Sequence, residues 1–182
     1  MDEYIDVATK DGKLTGNKAL KSIIHQTGLY HHTAHVWFYT NKGEVLLSQR
    51  SSKKAICPLL WDVSVAGHID AGETVIDAAI RETKEEIGLD IKNEDLKKVG
   101  VFKCFQTHVN GLIDNEFHNT YVAELKVPIA QLTPQEEEVE ALKLVSIENF
   151  KLLLEYSDTN NHFVSSNYKY YNTILDYITN NL

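Results

Sequence analysis

Cysteine is scarce in this chain: only Cys57 and Cys104 occur among 182 residues. They fall in no CxxC-type spacing, which excludes a finger-type zinc site and a disulfide framework. No run of lysine and arginine occurs either, and 26 acidic residues against 18 basic ones leave a formal charge of −8. Binding to a nucleic-acid backbone rests on clustered Lys and Arg, so no nucleic-acid partner is expected. No apolar run approaches the ~20 residues that cross a bilayer, so no membrane partner is expected. The N-terminus, Met1-Asp2-Glu3-Tyr4, is acidic and lacks the apolar core of a secretory leader. A reduced, cytoplasmic setting follows as the expectation. Repeats and low-complexity linkers are missing too. What is present is ordinary globular composition, 43% apolar and 24% charged, in a length that suits one domain over residues 1–182. A protein of this charge needs a cation beside it to hold a phosphorylated substrate.

Hydrophobic periodicity divides the chain into short elements. Tyr4 to Ala8 reads as a strand, with Asp11-Gly12 as a turn and Asn17 as the N-cap of a helix ending near Gly28. His32 to Tyr39 and Glu44 to Ser48 form a hairpin about Asn41-Lys42-Gly43. Ser51 to Leu60 is a polar loop, and Trp61 to Ala66 is another strand. From Thr74 to Ile87 the period becomes helical, and Gly88 stops the helix. Val99 to His108 and Glu116 to Lys126 are strands joined through Asn110-Gly111. A short strand over Ala141 to Val145 follows, then a helix over Ile147 to Tyr156. A polar Asp158-Thr159-Asn160-Asn161 loop precedes a last helix over Asn167 to Tyr177. Strands around one strongly acidic helix predict an α+β fold with a mixed sheet.

The acidic helix carries the chemistry. Residues three and four apart are neighbours on a helix, so Glu82, Glu85 and Glu86 crowd one face. Lys84 lies off that face. Arg81 reaches Glu85 at i+4, which leaves two carboxylates uncompensated. Hard oxygen ligands gathered this way suit Mg²⁺, with Mn²⁺ as the alternative; a solvated acidic face is the bland reading of the same charges. The spacing decides between them. Gly67 to Leu89 reads G-x5-E-x7-R-E-U-x-E-E-x-G-U, with U aliphatic, and departs from this pattern only at Thr83, which keeps a methyl group for packing.

This segment resembles the Nudix box. The resemblance implies the Nudix fold, a mixed sheet sandwiched between helices, with the core over residues 28–156. The N-terminal hairpin and helix and the C-terminal helix are then additions. It assigns metal binding to Glu82, Glu85, Glu86 and the Gly67 carbonyl, and a positioning role to Glu73 and Arg81. The reaction implied is attack of an activated water on a diphosphate phosphorus.

A second resemblance runs through Leu29 to Trp37, Gln49 to Lys54 and Leu60 to His68. It points to the Nudix branch of type I isopentenyl-diphosphate isomerase and its hydrolase relatives. The isomerases carry a catalytic cysteine two residues before the histidine of the Gly-His pair, where this chain has Ala66, and their box is degenerate where this one is complete. The expectation is therefore a hydrolase of a nucleoside di- or triphosphate or another X-linked diphosphate. An isomerase-like enzyme and a non-catalytic nucleotide-binding module are the alternatives. His31, His68 and Glu116 match isomerase-like metal ligands, with Asp114 near a further carboxylate position. Glu116 is accordingly a metal candidate, and His31 and His68 are also candidates for the substrate pocket.

Arg50, Lys53 and Lys54 face the box in this reading, and Arg50 and Lys54 are the candidates to hold phosphate. Trp37, Phe38 and Trp61 are either base-stacking or core aromatics. Glu137 and Glu138, after Pro134, join Glu85 as candidate general bases. Tyr168, Tyr170, Tyr171 and Tyr177 either pack in the core or form a homodimer surface.

Overall fold

In the computed structural model, which describes residues 3–160, 162 and 168–182, strand β3 (His31–Tyr39) is the hub of the molecule. It runs parallel to β8 (Ile113–Glu124) over its whole length and antiparallel to β6 (Val65–His68). It meets β4 (Glu44–Arg50) only at Tyr39–Val45. β4 pairs instead with β5 (Trp61–Asp62) and β9 (Val139–Ser146), and β7 (Lys97–Thr107) pairs with β8. The seven strands form one mixed sheet. β1 (Tyr4–Ala8) and β2 (Leu14–Leu20) form a separate hairpin, followed by α1 (Lys21–Thr27).

Alternation along β3 sends its residues to two cores. Ala34, Val36 and Phe38 face α2 (Val75–Ile87), where Ala78, Ala79 and Ile87 complete one core. Trp37 faces the opposite side, against α3 (Ile147–Glu155) and α5 (Tyr168–Asn180). The sheet is thus held between helices, as the Nudix resemblance implies. Ile174 and Ile178 of α5 are fully buried, and burying such a side chain contributes about 1.5–3 kcal/mol. Tyr170 and Tyr171 are buried with them, so these two tyrosines are core residues, whereas Tyr168 is exposed. Trp37 and Phe38 are also core, on opposite faces of the sheet.

Three local expectations change. Asn17 does not cap a helix: it lies in β2, whose pairing with β1 from Leu14 to Leu20 continues to the start of α1, which has Leu20 at its N-cap position and no side-chain cap. Trp61 to Ala66 is two strands, because Trp61–Asp62 pairs with β4 while Val65–His68 crosses to β3. Residues Ser157–Asn160 form a helical turn, α4, in place of a loop; Asn161 and Asn167 lie outside the described residues.

Candidate functional site

A cavity of about 790 Å³ opens between the box helix α2, the ends of β3, β6, β7 and β8, and α5. Its wall includes Gly67, Glu82, Glu85 and Glu86 on one side and Arg50, Lys54, His68, Glu116 and Glu138 around them.

The box is built as its spacing predicts. Thr74 caps α2, accepting from Asp77 N at 3.2 Å, and Gly88 ends it in the left-handed region at φ 71°. Thr83 is fully buried, and its hydroxyl donates to Ala79 O at 2.7 Å, so the one departure from the box pattern leaves no polar group unpaired. Arg81 binds Glu73 through Nε at 3.0 Å and Nη2 at 2.9 Å, and the His68 carbonyl at 3.0 Å, fixing the loop to the helix. Its Nη1 reaches Glu82 as well as Glu85, each at 2.9 Å. Glu86 is the carboxylate Arg81 does not reach, so one carboxylate and not two lacks it. Burial and the neighbouring Glu82 push the Glu86 pKa up to about 8. Burial likewise raises Glu82. Carboxylates driven toward the neutral form by crowding are what a divalent cation relieves. A Cβ on Gly67 would fall on the Glu82 side chain, so glycine is required where strand and helix approach.

Cations face these carboxylates. Arg50 Nη1 lies 3.7 Å from Asp62, and Lys54 is paired with Glu138. Burial and the adjacent Arg50 lower Lys54 to about 8. Lys21, from α1, also lines the cavity and pairs with Glu3 at 3.2 Å. Glu137 points away, bound to Lys53 at 2.8 Å and absent from the cavity wall. Among the candidate bases, Glu85 and Glu138 therefore face the cavity.

A second centre lies beside the box. His25, His31, His68 and Glu116 each offer a ligand atom within 4.8 Å of the others. His31 is fully buried and not part of the cavity wall, so its place suits ligation and not substrate contact. Its Nδ1 meets the Leu29 carbonyl at 3.0 Å, which holds a proton there and leaves Nε2 as the lone-pair nitrogen. That Nε2 is buried, 3.4 Å from Glu116 Oε1, with no hydrogen bond. His25 Nε2 and His68 Nε2 approach to 3.0 Å. Imidazoles bound through Nε2 to one tetrahedral ion at about 2.0–2.1 Å would have ring centroids roughly 5.3 Å apart. The three centroid separations here are 5.1, 5.1 and 5.3 Å. The residues fit a cation of the Zn²⁺ or Mn²⁺ kind.

The neighbouring trio His35, Glu116 and His118 also gathers ligand atoms, but its two ring centroids lie 4.0 Å apart, well short of the roughly 5.3 Å that two imidazoles on one tetrahedral ion require. It is a hydrogen-bonded stack: His118 Nε2 lies 2.8 Å from Glu116 Oε2, and His35 Nδ1 lies 3.0 Å from Tyr170 Oη. Burial opposes protonation of His118, yet bonds to Cys104 and Glu116 raise it to about 10; burial and His118 hold His35 well below the usual range.

Lys21 and His25 escape a sequence reading because both precede the resemblance; Cys104 was visible only as a cysteine without partners. It lines the cavity as the cross-strand neighbour of Glu116.

Comparison with known proteins agrees. The NUDIX domain profile matches residues 29–165. Nudix hydrolase 3 of Arabidopsis thaliana is 37% identical over 162 residues, 86% of this chain, although the chain spans only 21% of the plant protein. A Nudix hydrolase of Clostridium acetobutylicum is 33% identical, covering 85% of this chain and 75% of its own. An isopentenyl-diphosphate Δ-isomerase of Cutibacterium acnes is 31% identical, covering 79% and 74%. Among solved structures, a Deinococcus radiodurans protein superposes with a TM-score of 0.69 over 98% of both chains at 16% identity. A MutT Nudix hydrolase of Burkholderia pseudomallei superposes at 0.53 over 65% of this chain and 84% of its own, at 21% identity. A complete box on a mixed sheet between helices, a profile match across most of the chain and relatives of this kind lead to one conclusion: the chain belongs to the Nudix family.

Proposed function

We propose that this Nudix hydrolase cleaves a diphosphate linkage in a nucleoside di- or triphosphate or related X-linked diphosphate, with Mg²⁺ held by Glu82, Glu85, Glu86 and the Gly67 carbonyl. The observation that carries this reading is the complete set of box carboxylates facing Arg50, Lys54 and Lys21 across one cavity. A divalent ion bound there supplies Lewis acidity and neutralises charge on the phosphates. Arg50 and Lys54 bind the phosphate oxygens and orient the phosphorus, with Lys21 adding a third positive charge. Glu85, at the solvent edge of the box, takes the proton of the attacking water. Glu138 is the second candidate, and must leave Lys54 to serve. The histidine centre beside the box holds its own divalent ion through His25, His31, His68 and Glu116.

Isomerisation of an isopentenyl diphosphate is the second reading, favoured by the histidine centre and by the isomerase relatives. Protonation and deprotonation need an acid and a base on the two sides of the reacting carbons. The branch's cysteine position is Ala66 here, and the cavity's own thiol, Cys104, stands next to Glu116 in the sheet. That arrangement supports hydrolysis.

The test is Mg²⁺-dependent phosphate release across nucleoside diphosphates, nucleoside triphosphates, sugar nucleotides, dinucleotides and isopentenyl diphosphate, with each product identified. Turnover of one class, lost with EDTA, is the expected outcome. Isomerised product without phosphate release would overturn it in favour of the second reading.

A further inference from the structure

Because β3 and β4 pair only at Tyr39–Val45, they part beyond that point, and the cavity enters the sheet between them as a wedge. His35 stands four residues before Tyr39 on β3, and Ser48, the partner of Asp62, stands three after Val45 on β4. His35 and Asp62 thus line the wedge at similar depth from its two sides, and Thr33 and Arg50 come next along the same strands. Ala66 pairs with His35 and adds only a methyl group, which leaves room for a ligand.

The strand walls of this wedge carry unused hydrogen-bonding capacity. Thr33 is 3% exposed and lines the cavity, yet its Oγ1 has no partner among the described residues. Asp62 Oδ1 accepts from Val63 N at 2.7 Å, while Oδ2 meets Arg50 Nη1 only loosely, at 3.7 Å. Burial pushes the Asp62 carboxyl up despite the nearby Arg50. Tyr170 Oη, by contrast, is engaged by His35 and Trp37. A buried hydroxyl without a partner and a desolvated carboxylate oxygen are both costly, and a ligand hydroxyl satisfies either. The larger aliphatic side chains of the wall, Ile56 and Leu112, come instead from two loops, which Asn110 joins by donating to the Ala55 carbonyl at 2.9 Å.

We propose that this wedge recognises the group carried by the diphosphate, and that Thr33 and Asp62 select a sugar there. One sugar hydroxyl donates to Asp62 Oδ2, and a second bonds to Thr33 Oγ1. A carboxylate holding a ribose hydroxyl is a recurring recognition device. A hydrocarbon tail of the same five carbons, such as isopentenyl, leaves both oxygens buried and unpaired, and sites built for a hydroxyl reject analogues that lack it. The ribose of a nucleotide and a simple sugar diphosphate offer the same chemistry. The inference rests on the box holding the diphosphate, as read above.

The experiment measures binding of ribose 5-diphosphate, ADP and isopentenyl diphosphate to the full chain by calorimetry, with Ca²⁺ in place of Mg²⁺. Phosphate release from each is followed separately with Mg²⁺. Both sugar-bearing probes are expected to bind at least about 10-fold more tightly than isopentenyl diphosphate. Thr33→Val and Asp62→Leu should each shrink that preference by about 5–10-fold. Thr33→Ser and Asp62→Asn, which keep a hydrogen-bonding group, should restore most of it, and melting temperatures are recorded for all four. Tight binding of ADP with ribose 5-diphosphate no better than isopentenyl diphosphate would assign recognition to the base and overturn the proposal. Equal affinity for all three probes would overturn it as well, as would variants that weaken all three alike, since that is loss of phosphate binding. The expected preference without phosphate release from any probe would count against the hydrolase reading and leave the sugar site standing.

Discussion

Glu82, Glu85 and Glu86 belong to a single helix, and the loop that aims them is a few residues away in the chain. His25, His31, His68 and Glu116 come from α1, β3, β6 and β8, elements far apart in the chain and brought together by the sheet, by the bond between Asp114 and His25 and by that from Asn115 to the Gly28 carbonyl. The two centres border the same cavity, yet they are secured differently. The box is locked by Arg81, whose guanidinium ties Glu73, Glu82, Glu85 and the His68 carbonyl together. The histidine centre is locked by proton placement, one hydrogen bond behind each of His25 and His31. A local device survives any distortion that spares one helix. A dispersed one depends on several elements holding register.

The comparison can be broken most sharply at the box. Glu85→Gln is expected to lower kcat by 10²–10⁴-fold, roughly the contribution of general base catalysis, with the melting temperature retained. Phosphate-release kinetics beside a thermal melt check this, and substantial retained activity would remove Glu85 from the site. Gly67→Ala is expected to cost activity as well, because its methyl group displaces Glu82; Mg²⁺ titration should show half-maximal activity at a higher Mg²⁺ concentration than in the wild type. At the histidine centre the effect on hydrolysis is expected to be smaller. His31→Gln should remove tight Zn²⁺ or Mn²⁺ binding while Mg²⁺-supported phosphate release persists, as metal analysis and kinetics on one preparation would show.

The metal-free protein offers a subtler contrast. Glu86 has its pKa raised to about 8 by burial and Glu82. In EDTA the folded state therefore keeps a proton that the unfolded chain releases in the ordinary carboxyl range. Stability falls as pH rises through that window up to about pH 8. Thermal melts in EDTA should show this slope, and Glu86→Gln should flatten it. The smallest effect is expected for Glu137→Gln, since Glu137 pairs with Lys53 outside the cavity; activity should stay close to wild type, while Glu138→Gln changes it more.

Much of this molecule is legible before folding is considered. The acidic helix, its Thr74 cap and its Gly88 stop follow from spacing and residue type, because helix neighbours are fixed by a local period. Thr83 could be read as tolerable from its methyl group, though its bond to the Ala79 carbonyl is a structural finding. The start of α1 is not legible at Asn17, because a polar residue of the type that caps helices lies here in a strand paired with β1. Trp61 to Ala66 looked like one strand, since alternation records faces but not partners.

By itself, then, the sequence determined the family, the box and the grouping of carboxylates suited to a hard cation. The carboxylate grouping rests on contacts within one helical turn, and the family on the resemblance of the Gly67–Leu89 pattern to the Nudix box. The tertiary structure decided that Lys21 and His25 reach the cavity from outside the Nudix core, that Lys54 pairs with Glu138, and that Asp114 lies between His25 and His108. It also decided that Trp37, Phe38, Tyr170 and Tyr171 are core and that Glu137 turns outward. Those outcomes depend on which strands pair and in what register, and a chain's local periodicity carries no information about residues brought together from distant elements.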